Sequence, residues 1–250
     1  MNILAVDIGG TFTDLMAFDH ATQTFYQGKS LSTPHDLAQG IIDCIEKSGI
    51  DIATAGEIIH GTTQAINTLI ERKGAKTALV VTEGFRDAVE MGYEHRFDQY
   101  DINIDKPVPL VPRYLRLAVH ERSNAKGEVL LPLDEDTVRA LVPVLRDNAV
   151  ESVAITLMHS YANAAHEQRI ADILRAELPD LWITLSSEVC PEIREYERMS
   201  TASANAYVQP LMASYLADLD DRLRAEGAQC PLYMMTSGGG LTTVETARRH

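Results

Sequence analysis

The first thirty residues restrict the fold most, because three short strand-like runs follow one another with almost nothing between them. Asn2–Ile8 is an apolar run, Phe12–Phe18 follows a Gly-Gly turn, and Thr24–Ser30 follows the polar turn Asp19–Gln23. Strands joined this tightly pair as antiparallel hairpins. A helix is predicted from about Asp36 to Ser48, with Leu37, Ile41, Ile42 and Ile45 on one face and Gly49 at its end. Glu57–His60 reads as a short strand. Gly61-Thr62-Thr63 then leads into a helix bearing Ala65, Ile66, Leu69 and Ile70, closed by Gly74, and Lys76–Thr82 is the next strand. Strand, helix and strand at this spacing predict a parallel pairing of the two strands.

Residues 92–113 interrupt this order, first polar and aromatic, then proline-rich. A loop of this length is functional or interfacial, or else a plain surface excursion. Leu115–Glu121 and Glu128–Leu131 read as a hairpin about Asn124–Gly127. Asp134 caps a helix with Val138, Leu141, Val142 and Leu145 on one face. Pro143 falls inside that helix, where proline costs about 3 kcal/mol or forces a kink, and nothing in the sequence accounts for it. Ser152–Leu157 and Trp182–Ser186 are strands flanking a helix at Asn163–Ala176. A long helix is expected from about Glu195 to Glu226, bent near Pro210, followed by a strand at Leu232–Met235 and a glycine loop at Ser237–Gly240.

Composition decides what such elements can become. The 250 residues are 45% hydrophobic and 23% charged, which suits one large or two smaller domains and excludes disorder. The net charge of −14 sets nucleic acid and anionic lipid aside as partners. It is also unfavourable for ATP unless local N–H groups and a divalent cation offset it. No stretch approaches the roughly 20 apolar residues that span a bilayer, and MNILAVDIGG lacks the basic start of a signal peptide. Cys44, Cys190 and Cys230 have no metal-ligand spacing. A soluble protein of a reducing, cytoplasmic compartment is expected.

The chemistry is concentrated in Asp7-Ile8-Gly9-Gly10-Thr11-Phe12-Thr13-Asp14, between the first two strands. Adjacent glycines can take positive φ and let backbone approach a bulky anion, and their N–H groups can form an anion-binding concavity. Thr11 and Thr13 add hydroxyls, placed on one side by strand alternation. A carboxylate at Asp7 suits Mg²⁺ or its waters. No GxxxxGK[ST] loop occurs, and no helix follows the glycines as a dinucleotide fingerprint requires.

The pattern resembles the first phosphate loop of the sugar kinase, actin and heat-shock ATPase superfamily. Further motifs narrow the resemblance to the hydantoinase A / N-methylhydantoinase / 5-oxoprolinase family. They are His60-Gly61-Thr62-Thr63 with Asn67, Glu71-Arg72-Lys73-Gly74-Ala75-Lys76-Thr77-Ala78, and Thr82-Glu83-Gly84-Phe85-Arg86-Asp87. Asp98-Gln99-Tyr100-Asp101, Pro107-Val108-Pro109-Leu110-Val111-Pro112-Arg113, Arg194-Glu195-Tyr196-Glu197-Arg198, Asn205-Ala206-Tyr207 and Ser237-Gly238-Gly239-Gly240-Leu241 continue it in order. The resemblance implies an α/β fold with a ribonuclease H-like mixed sheet, antiparallel over strands 1–3 and then parallel, flanked by helices. This is half of an actin-like ATPase with the start of a second lobe, divided as residues 1–195 and 196–250. It implies ATP with Mg²⁺, phosphoryl transfer that activates a cyclic amide for hydrolysis, a B-type hydantoinase subunit as partner, and an oligomer. A carboxylase subunit, a sugar-type kinase and an inactive partner-binding fragment are the alternatives. The family's second phosphate loop lies beyond residue 250, so the chain reads as a fragment that does not turn over ATP alone.

Other residues carry more limited expectations. His60 could donate to substrate or act as acid or base, or be structural, and the helix start at Thr62 and Thr63 favours an anion. Asn67 lies one turn on, facing the side of Thr63, and could line a cleft. Glu94, His95, Asp98 and Asp101 could bind a metal or form a solvated loop. Arg194 and Glu195 could face substrate or a subunit, with Arg194 and Arg198 sharing a helix face. Gly238 and Gly239 could approach a ligand or form a turn.

Overall fold

The computed structural model of the chain describes residues 2–33, 36–93 and 100–249. In chain order the elements are β1 (Asn2–Ile8), β2 (Phe12–Asp19), β3 (Thr24–Leu31), α1 (Leu37–Ser48), β4 (Ala55–Thr62), α2 (Gln64–Glu71), β5 (Thr77–Thr82) and α3 (Ala88–Met91). They continue with β6 (Arg116–Val119), β7 (Arg122–Ser123), β8 (Val129–Leu131), α4 (Glu135–Arg139), α5 (Leu141–Asp147), β9 (Ser152–Thr156), α6 (Ala165–Glu177) and β10 (Trp182–Leu185). The last are α7 (Ser186–Val189), α8 (Glu195–Ala225), β11 (Leu232–Met235), β12 (Leu241–Thr243) and α9 (Val244–Ala247). They divide into two compact units, Met1–Lys73 with Leu211–His250, and Gly74–Pro210. This geometric division differs in kind from a boundary at residues 195 and 196, because the inserted segment begins and ends inside the first unit.

The first unit holds a six-stranded sheet in the order β12-β11-β4-β1-β2-β3. The hairpins β1–β2 and β2–β3 are antiparallel, while β4 runs parallel to β1 and β11 parallel to β4. This is the expected ribonuclease H-like mixed sheet. Alternation along β1 buries Leu4, Val6 and Ile8 and exposes Ala5 and Asp7. The buried set packs with Leu15, Ile41, Ile45, Ile58, Leu219 and Leu223, so α1 and the C-terminal part of α8 cover one face. On the other face Phe12, Met16 and Leu31 are exposed large hydrophobics.

Local chemistry explains how α1 is seated. Asp36 caps it by accepting from the Gln39 amide at 3.2 Å, and Gly49 ends it at φ 71°. At Gly28 on β3 an added Cβ would stand 2.4 Å from the Cys44 carbonyl oxygen, so only glycine lets α1 come this close.

The second unit carries a parallel sheet in the order β10-β9-β5-β6. Every residue of β5 and β9 is buried, as expected for strands covered on both faces. The expected pairing of the strands on either side of α2 is therefore corrected: β4 and β5 lie in different sheets. Both edges of β4 are taken by β1 and β11, and the chain leaves for the other unit after α2. Helix α2 ends at Arg72 in the left-handed region rather than at Gly74. The hairpin about Asn124–Gly127 forms only between β7 and β8, while β6 joins β5 in parallel. Pro143 is accounted for: the helix breaks at Ala140, and proline is the third residue of α5, where an N–H has no intrahelical acceptor. Glu94, His95 and Asp98 lie outside the described residues, and the Asp101 carboxylate accepts from the Asn103 amide at 2.8 Å.

Candidate functional site

Parallel strands end at one edge of a sheet, and in the first unit that edge gathers the loops of interest. The turn after β1, the end of β3, the start of α2 after β4 and the glycine turn after β11 all lie there. Between the first three is a cavity of about 440 Å³, whose lining includes Gly9, Gly10, Ser32, Thr63, Asn67 and Lys73. The sequence thus placed Gly9, Gly10, Thr63 and Asn67 in residues that the fold brings together.

The loop geometry differs from the expected concavity. Gly9 and Gly10 are absent from the residues with positive φ. The Gly9 amide donates to the Phe12 carbonyl at 3.0 Å, so it is spent on the turn. The Gly10 and Thr11 amides make no hydrogen bond among the described residues. Ser32 clamps the loop from β3: its hydroxyl donates to the Gly9 carbonyl at 2.8 Å and its amide to the Thr11 carbonyl at 2.9 Å. An added Cβ at Gly10 would meet nothing within 4 Å. Two donors therefore stand at an open tip that is held from below.

At the start of α2 the Asn67 amide side chain donates to the Thr63 hydroxyl at 3.3 Å. Lys73 pairs with Glu71 at 2.7 Å, and both belong to the cavity lining. Sequence reasoning missed Ser32 and Lys73 as site residues. Ser32 acts through contacts across 21 to 23 positions that no local pattern marks.

Asp7, Phe12 and Asp14 lie on the open face of the sheet rather than in the cavity lining. Asp7 and Asp14 are register partners across β1 and β2. Asp14 pairs with Lys29 at 2.7 Å, whereas Asp7 has no ion pair among the described residues. Gly61 is the β4 partner of Asp7, and an added Cβ there would sit 2.9 Å from Asp7 Oδ1. The carboxylate leans into the space that glycine leaves.

Burial corrects the expectation for Thr13 and, of the two readings of His60, leaves the structural one. Thr13 is fully buried on the face covered by α1, its hydroxyl 3.3 Å from that of Ser32, so it is not beside Thr11 at the loop surface. His60 is also fully buried. Its Nδ1 lies 3.1 Å from the Val6 carbonyl and Nε2 2.7 Å from the Tyr215 hydroxyl. A carbonyl can only accept, so Nδ1 carries the proton and Tyr215 donates to Nε2. Burial lowers the His60 pKa to about 4 and raises that of Tyr215. His60 is a neutral tie between β4 and α8 rather than an acid or base facing substrate.

That tie makes stability depend on pH. Between about pH 4 and 6.5 the unfolded imidazole binds a proton that the folded one does not, so stability rises with pH in this window. The stabilisation is complete above the unfolded value and is lost as pH falls toward 4. Acidifying from pH 7 to 5 is expected to cost about 2 kcal/mol through this residue. Urea unfolding of the protein and of His60→Gln at both pH values checks it; an equal pH dependence in the variant rejects the assignment.

The remaining expected positions have structural roles or lie in the other unit. In the glycine turn the Gly239 amide donates to the Thr236 carbonyl at 2.9 Å with φ 83°, closing the β11–β12 hairpin, and Gly238 is exposed. Arg194 reaches Glu197 at 3.5 Å in the second unit, and Glu195 is the first residue of α8. Arg198 does not share an exposed face with Arg194. It is fully buried and donates to the Glu192 and Leu157 carbonyls at 2.9 Å each. Among the described residues no three His, Cys, Asp or Glu side chains converge as a metal site. No helix among them is long and apolar enough to cross a membrane.

Comparison with known proteins identifies the family and the fold. The family model described as the hydantoinase/oxoprolinase N-terminal region matches residues 3–178, and that described as hydantoinase/oxoprolinase matches residues 198–250. Caprolactamase subunit alpha of Pseudomonas jessenii is 39% identical over 95% of the chain and 36% of its own length. The crystal structure of ATP-dependent caprolactamase from that organism superposes with a TM-score of 0.85 at 38% identity, over 97% of this chain and 36% of the other. Nucleotide-free acetone carboxylase superposes at 0.87 with 29% identity, over 99% and 38%. 5-Oxoprolinase 1 of Arabidopsis thaliana is 30% identical over 94% of this chain and 21% of its own length. The chain thus spans between about a fifth and two fifths of these relatives' lengths. With both family models matched in order and the fold shared, the chain belongs to the hydantoinase/oxoprolinase family.

Proposed function

We propose that the chain is the ATP-binding part of an enzyme that hydrolyses a cyclic amide after phosphoryl transfer. The observation that carries this is the pair of unspent amides at Gly10 and Thr11, at a cavity whose lining includes Thr63 and Asn67. The residues suit a polyphosphate: N–H donors without acceptors, no Cβ at Gly10, and an exposed carboxylate at Asp7 cradled by Gly61. ATP, when bound, supplies a phosphoryl group that makes an amide oxygen a leaving group. Gly10 and Thr11 hold phosphate oxygens, Ser32 fixes the loop that presents them, and Asp7 holds the waters of Mg²⁺. Thr63 and Asn67 orient the group that meets the phosphate. The likeness to caprolactamase supports a lactam-type substrate. A B-type hydantoinase subunit as partner, an oligomer and a cytoplasmic place follow from the same reading.

A second reading, a carboxylase subunit, is favoured by the superposition on acetone carboxylase. ADP release by the whole protein with its partner subunit, screened against ε-caprolactam, hydantoin, 5-oxoproline and acetone, decides between them. Stimulation by a lactam or hydantoin is expected. A response to acetone with bicarbonate alone favours the second reading, and a response only to sugars rejects both.

Gly61→Ala tests the cradle. Its methyl group displaces a flexible carboxylate rather than backbone, so the fold survives while Asp7 moves. The Mg²⁺ concentration for half-maximal turnover is expected to rise about tenfold, matching the loss of one charge-assisted contact. A Mg²⁺ titration that is unchanged both here and in Asp7→Asn removes Asp7 from the metal role.

A further inference from the structure

A cavity of about 600 Å³ in the second unit has no part in the proposed chemistry. It lies at the amino ends of β9 and β10, where α5 and α6 finish. Glu177 is the last residue of α6, Val150 and Glu151 lead into β9, and Leu178 and Leu181 lead toward Trp182 at the start of β10. The wall on the α5 side is fixed by backbone: Ala149 turns left-handed at φ 48°, and the Val150 amide returns to the Leu145 carbonyl at 3.0 Å. The volume is within the roughly 300–1,000 Å³ of small-molecule sites. In parallel sheets chemistry is built at the carboxyl ends of the strands, so a pocket at the amino ends is a binding site rather than a catalytic one.

The lining combines apolar surface with an excess of negative charge. Leu145, Val150, Leu178, Leu181 and Pro210 supply the first. Glu151, Glu177 and Asp180 outnumber the one cation, Arg146, and all four are exposed. None of the four makes an ion pair among the described residues. The Glu151 carboxylate accepts one long bond, from the Lys76 amide at 3.4 Å. Helix α6 adds to the field: its 13 residues end here with the negative end of the dipole, and Pro179 has no N–H to offer the Arg175 carbonyl. Trp182 is 38% exposed in the same wall, and a tryptophan face is the aromatic surface that attracts cations most. Carboxylates, helix end and aromatic face thus select the same sign of charge independently.

We propose that this pocket binds an organic cation, an ammonium or guanidinium group on an apolar body. The charge lies toward Glu177 and Asp180, and the body lies on Trp182 and Leu181. The site goes beyond the proposed function, because ATP is an anion and a cyclic amide is neutral.

Trp182 is the only tryptophan of the chain, so its emission reports on this pocket without a label. Phenethylammonium, 2-phenylethanol and 3-phenylpropanoate each carry one phenyl ring and differ in charge. Titration of the protein at low salt is expected to give a saturable change of emission with the ammonium, weakened by added salt, and binding of the other two weaker by roughly tenfold or more. Glu177→Gln combined with Asp180→Asn should weaken the ammonium roughly three- to tenfold. Both residues are exposed, so the fold is retained. No saturable change with the ammonium, equal or tighter binding of the alcohol or the propanoate, or unchanged affinity in the double variant overturns the proposal. The contrast among the three ligands needs no variant and so stands even if the double variant fails to fold.

Discussion

Gly10→Val is expected to abolish measurable Mg-ATP binding while leaving the protein folded. The added side chain meets no protein atom within 4 Å of its Cβ, so it projects into open space at the loop tip. Surface changes of this kind alter stability by about 0.5 kcal/mol or less. That open space is where a phosphate must come to reach the Gly10 and Thr11 amides. Hydrogen bonds to a charged group contribute about 1.5–3 kcal/mol each, so losing both weakens binding on the order of 100-fold or more. Calorimetry with Mg-ATP and a thermal melt on the same sample check both halves. Affinity equal to that of the unaltered protein would place the nucleotide elsewhere.

The largest effect on stability is expected from Gly28→Ala. Its new methyl carbon would lie 2.4 Å from the Cys44 carbonyl oxygen and 3.3 Å from Ser48 Cβ. The first obstacle is helix backbone, which cannot rotate aside, so α1 must lift from β3. Overpacking costs typically 1–3 kcal/mol, and a backbone obstacle belongs at or above the upper end, about 3 kcal/mol. For a protein of this size that lowers Tm by roughly 6–12 °C. Because α1 covers the face beneath Thr13 and Ser32, nucleotide affinity should fall as well. A melt within about 1 °C of the unaltered protein would mean that α1 does not pack here so closely.

Much of the fold was legible because it is written locally. Alternation in β1 to β3, the Asp36 cap and Gly49 each state their own structure within a few residues. Strand pairing was not so written. Nothing near β4 says that its second edge is filled by β11, more than 160 positions later, so β5 was assigned to it. The site divided in the same way. Gly9, Gly10, Thr63 and Asn67, which line one cavity, were legible as a group because a turn and a helix start advertise themselves. Thr13 was misjudged, and for His60 the structural reading could not be chosen over the acid–base one, because residue type does not say which side of a strand faces the core. For His60 a signal was available: it alternates with Ile58, and both point into the same apolar layer. The roles of Ser32 and Lys73 arise only when distant segments meet.

The insertion of residues 74–210 between α2 and the later part of α8 also sets an order of assembly. The inserted segment is continuous and can organise itself as soon as it leaves the ribosome. The surrounding sheet cannot, because β4 keeps an unsatisfied edge until β11 is made. During synthesis the unit that carries β1 to β4 therefore closes after the inserted one, and the exposed flank of β4 is the point most open to mispairing or chaperone capture.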